Sequence, residues 1–76
     1  MENKMTQYLV IIHIFVDHDK SRVFAASLQY TVECGNGKDL LDNLSKLKNE
    51  AVEDYCGGDI DRKDAHRAGI HQVMIL

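Results

Sequence analysis

Proline is absent from this chain, cysteine occurs only twice, and no apolar run is long enough to span a bilayer. Lack of proline, with 45% hydrophobic and 28% charged residues, excludes a disordered tail and fits a folded domain. Two thiols, Cys34 and Cys56, are too few for a disulfide framework, so a reduced chain is expected. The short apolar run after Lys4 is followed by Asp17, Asp19 and Lys20 and not by a small-residue cleavage region, so cytoplasmic placement is expected. Excess basic charge is also missing. Nine Lys and Arg stand against twelve Asp and Glu, a net charge of -3, which argues against strong nonspecific attraction to nucleic acid or to an anionic membrane.

What is present is 76 residues, enough for one domain over 1–76 and too few for a separate substrate domain or a dinucleotide-binding unit. A chain of this size buries only about 60% of its unfolded surface. Extra packing is therefore expected, from a homodimer or from a stable complex with another protein.

Residues 6–16, TQYLVIIHIFV, are rich in aromatic and β-branched side chains and predict a first strand. One face carries Tyr8, Val10, Ile12, Ile14 and Val16, the other Leu9, Ile11, His13 and Phe15. Both faces are largely apolar, the pattern of a central strand or of one covered by a partner. After the polar segment 17–21, residues 22–34 alternate. Phe24, Ala26, Leu28, Tyr30 and Val32 point one way, Ala25, Ser27, Gln29, Thr31 and Glu33 the other, which predicts an antiparallel hairpin over 6–34.

Gly35 to Gly37 end that strand, and Asn36 is placed to cap a helix over 38–55. Leu40, Leu44, Leu47, Ala51 and Tyr55 recur on one face of it, with Leu41 and Val52 at the border. Gly57 or Gly58 supplies the C-terminal cap. A short helix is expected after Asp59 or Asp61, and residues 69–76 read as a last strand. The fold class expected is α+β: a small two-layer ββαβ domain, an antiparallel N-terminal hairpin covered by one long amphipathic helix, with a short C-terminal strand. There is neither an internal repeat nor an interdomain linker.

Motifs for chemistry are weak. His13, His18, His66, His71, Cys34 and Cys56 are able donors, but their spacings form no zinc pair. Asp59, Asp61 and Lys63 begin like a calcium loop, yet Lys63 takes an oxygen position and Asp64 replaces the required glycine. The Gly35 to Lys38 segment lacks the spacing of a phosphate loop. Cys34 lies on the core-facing side and Cys56 at a helix end where the dipole disfavours a thiolate, so neither is expected to act as a nucleophile. No catalytic, metal or cofactor residue is assigned, and an enzyme is not expected.

Leu9, Ile11, His13 and Phe15 need a cover that one helix on the opposite face cannot provide, unless strong twist and residues 59–68 supply it. They are candidate interface residues. Glu50, Glu53, Asp54, Asp59, Asp61 and Asp64 are assigned as an acidic rim that steers a basic partner. The functional expectation is a noncatalytic interaction or regulatory protein, dimeric or acting as a fitted inhibitor of the kind a phage or mobile element directs at a host protein. The alternative is an RNA- or DNA-binding module that uses the sheet face with dispersed basic residues. Against it, Tyr8, Phe24 and Tyr30 fall on the expected core side, leaving only Phe15 on the other.

Overall fold

In the computed structural model, which describes residues 4–76, the first two strands dominate the molecule's length. Strand β1 (Thr6–His18) and strand β2 (Ser21–Cys34) pair antiparallel from Thr6 opposite Cys34 to His18 opposite Ser21. Their turn is only Asp19 and Lys20, both with left-handed backbone (φ 47° and 67°). Positive φ at both central residues matches the right-handed twist of the flanking strands and closes a hairpin in two residues. The hairpin lies where the alternating apolar pattern puts it.

Helix α1 (Gly37–Cys56) follows, one residue longer at each end than its periodicity suggests. The Asn36 side chain accepts from the Asp39 backbone N–H at 2.9 Å, satisfying one of the donors that a helix start leaves free. At the other end Gly57 is left-handed (φ 63°) and its N–H donates to Glu53 O at 2.9 Å. The face read from the sequence is the face buried: Leu47 and Ala51 are in the core, and Leu44, Val52 and Tyr55 pack against it. Leu41 lies past the border of that face, 66% exposed.

Asp59 caps the short helix α2 (Ile60–Ala65), its carboxylate accepting from the N–H groups of Asp61 and Arg62 at 3.0 and 3.3 Å. Strand β3 (His66–Ile75) then pairs antiparallel with β1, giving the sheet order β2-β1-β3. The strand starts three residues before the expected Gly69, because the small Ala68 fits opposite Ile14 beneath the helix layer and His66 still pairs with Val16. β1 is thus the central strand. Its side chains Val10, Ile12 and Ile14 are fully buried against Leu47 and Ala51. Each buried Val or Ile contributes about 1.5–3 kcal/mol, so this row carries much of the fold's stability.

Phe24 does not face that core. Between Ile14 and Phe15 the β1–β2 register slips by one: Ile14 pairs with Ala26, Phe15 with Phe24, and Ala25 bulges between them. Every side chain before the bulge therefore changes face. A second slip lies in β3, where Ile11 pairs with Gln72 and Ile12 with Ile70, leaving His71 as the extra residue.

The result is an α+β domain with one sheet and two helices. Among the described residues no helix is long and apolar enough to cross a membrane. Met1, Glu2 and Asn3 of the expected 1–76 domain lie outside the described residues.

Candidate functional site

Both helices lie on one side of the sheet. α1 packs on Val10, Ile12 and Ile14, and α2 joins α1 through Lys63 with Glu53 (3.5 Å) and Arg62 over the Tyr55 ring (5.5 Å). Tyr55 in turn meets His66 at 5.3 Å between ring centres. Residues 59–65 therefore thicken the layer that α1 already forms, and residues 66–68 lie within strand β3 beside β1 and not over the other face. Leu9, Ile11, His13 and Phe15 are half-buried, and none packs on the core.

That open face is organised by pairing. Leu9 sits between Thr31 and Met74, Ile11 between Gln29 and Gln72, His13 between Ser27 and Gly69, and Phe15 between Phe24 and Arg67. The β2 bulge brings the Phe24 ring to it, and the β3 bulge adds Gln72 and Met74 beside His71. His13 and His71 stack with centres 4.0 Å apart and planes 13° from parallel. Phe24 meets His13 edge-on at 5.0 Å and Phe15 at 6.2 Å, T-shaped contacts that aromatic quadrupoles favour. Phe24 remains 54% exposed. Gly69 leaves a notch beside this cluster, since a Cβ there would lie 3.7 Å from Phe15 Cε2.

Charge marks the ends of the face. The Asp17 carboxylate lies 3.3 Å from Arg67 Nε and 3.7 Å from Arg22 Nε, so one carboxylate forms ion pairs that link all three strands. At the far end Glu33 pairs with Gln7 across the hairpin. Both positions are solvent-exposed, where such pairs contribute at most about 1 kcal/mol.

The assigned acidic residues lie elsewhere. Glu50, Glu53 and Asp54 belong to α1, while Asp59, Asp61 and Asp64 belong to the start and body of α2, on the helix side of the sheet. Three of them have internal partners: Glu53 with Lys63, Asp54 with the Tyr30 hydroxyl at 2.8 Å, and Asp59 with the α2 N–H groups. They do not rim the apolar face. Tyr30 is affected by its position, its pKa pushed up to about 12 by burial first and then by the hydrogen bond to Asp54 and the charges of Asp54 and Glu50.

Stacked rings such as His13 and His71 present faces to each other and do not aim two nitrogens at one point. Cys34 and Cys56 are free and buried, and the Cys34 sulfur meets the Asn43 amide at 3.5 Å. No cluster of three or more His, Cys, Asp or Glu able to hold a metal occurs among the described residues. The shallow groove between α1, α2 and the start of β3 is crossed by the Lys63–Glu53 pair.

Comparison with protein-family models, with curated proteins and with solved structures finds no match to this chain.

The patch of Leu9, Ile11, His13 and Phe15 was readable from strand parity, whereas Phe24, His71 and Met74 were missed. For β3 a signal exists: Ile70 and Val73 both face the helix although they are three apart, a spacing that only an extra residue allows. In β2 the adjacent Ala25 and Ala26 both fit beneath the helices, so no bulky side chain declares the slip.

Proposed function

We propose that the protein is a noncatalytic protein-binding module whose docking surface is the open face of the sheet. The observation that carries this reading is the second apolar face of the central strand: Leu9, Ile11 and Phe15, joined by Phe24, stand beside polar Thr31, Gln29 and Gln72, and among the described residues no second layer lies over them. Such a mixture, with aromatic residues at the centre and charge at the margin, is the composition of a protein interface. A small regulatory protein or fitted inhibitor, including one that a phage or mobile element would direct at a host protein, suits a rigid sheet that presents one face.

The acidic residues of α1 and α2 have a lesser part. The molecule is 17–20 Å across its short axes, about twice the Debye length of about 8 Å at physiological salt, so charges on the helix side are screened from a partner on the sheet side. Capture of a partner from native extract should be lost with Ile11→Lys and kept with Glu50→Lys. Capture indifferent to Ile11→Lys contradicts the reading.

One observation favours a second reading, RNA or DNA binding. The β2 bulge sets Phe24 beside Phe15, near Arg22 and Arg67, and exposed rings on a sheet can stack bases. Both arginines, however, already share Asp17. Retention of oligonucleotides that falls steeply with salt and is lost with Phe24→Ala would establish this reading, and no retention at low salt would remove it.

A further inference from the structure

We propose that the open face is covered by a second copy of this chain, the two sheets stacked face to face with their β1 strands antiparallel about a twofold axis near Ile12. The inference rests on the docking reading above and adds the identity of the partner and the register.

Surface area gives the first argument. The chain exposes 5502 Å². A folded monomer of 8.6 kDa is expected to expose about 4,700 Å². The excess, about 800 Å², is what one partner contributes to a standard-size interface. The radius of gyration is 14.1 Å, where a compact chain of this length would have about 11 Å; the 53 Å long axis sets this value, and elongation supplies part of the excess area. One sheet with helices on one side is half of a two-sheet sandwich, whose sheets lie about 10 Å apart with nearly aligned strands.

Self-complementarity gives the second. A twofold interface requires each feature to meet its counterpart on the same patch. On the open face of β1 the residues run Gln7, Leu9, Ile11, His13, Phe15, Asp17, so reversal about Ile12 sets Leu9 against Phe15 and Ile11 against His13 of the second copy. The same reversal carries β2 over β2. Glu33 lies level with Gln7 and Arg22 level with Asp17, so Glu33 of one copy comes over the end of the other where Arg22 and Arg67 outnumber the single Asp17. A parallel arrangement, which carries β2 over β3, loses this match of signs.

Sedimentation over a concentration series, with circular dichroism to verify folding, tests both parts. The wild-type chain should pass from 8.6 kDa to twice that mass, and Ile11→Lys should remain monomeric. Arg22→Glu alone and Glu33→Arg alone should each weaken the dimer about tenfold by facing like charges. Mixed in equal amounts, these two variants should regain wild-type affinity, because each hybrid dimer restores both opposite-charge contacts. A mixture no tighter than the single variants, or a dimer that survives Ile11→Lys, overturns the arrangement. A folded wild-type chain that stays monomeric at every concentration overturns the second copy as partner. If it still captures another protein in an Ile11-dependent way, the docking reading stands, and if it does not, both fall.

Discussion

At the scale of single residues, Tyr30 and Lys20 show how local chemistry is fixed by position. The Tyr30 hydroxyl donates to Asp54, and burial together with that carboxylate raises its pKa from 10.0 to about 12. The folded state therefore favours the neutral phenol. Its contribution to stability is complete below pH 10 and is lost as pH rises through about 12. Ultraviolet titration, with Tyr30→Phe as the reference, should show Asp54→Asn bringing the ionisation part of the way back towards 10, since burial remains. Tyr30→Phe should cost about 0.5–1.5 kcal/mol in urea unfolding. Lys20 holds φ 67° in a turn that favours glycine. Left-handed backbone costs a residue with a Cβ about 1–2 kcal/mol, partly offset by the greater freedom of glycine when unfolded. Lys20→Gly should thus stabilise the hairpin by about 0.5–1 kcal/mol, read as a raised melting temperature.

At the scale of elements, the parts legible in the sequence are those where one physical rule acts alone. The period of the α1 leucines, the Asn36 and Gly57 caps and the two apolar faces of β1 each follow from local spacing, and the structure has all of them. The bulges are another matter. Ala25 and His71 are displaced by the demands of pairing with β1, a nonlocal constraint that alternation within one strand does not contain. The location of the acidic residues was illegible for the same reason: the sequence places them on helices, but only the packing shows that both helices share one side. Phe24→Ala tests the bulged register. With Phe24 on the open face the loss of stability in the monomer should be about 1 kcal/mol or less, against the roughly 3–5 kcal/mol of a phenylalanine removed from a core.

For the whole molecule, stability and the proposed function divide between the two faces of one sheet. Val10, Ile12 and Ile14 hold the helices, while Leu9, Ile11 and Phe15, one residue out of phase, form the face proposed to dock a partner. Methyl resonances of isoleucine and leucine, recorded at high dilution with a soluble paramagnetic probe, test this division directly. The account predicts strong broadening at Leu9 and Ile11 and none at Ile12 and Ile14. Leu9 and Ile11 spared as fully as Ile12 in the dilute chain would contradict it, because the face would then be sealed by its own polypeptide.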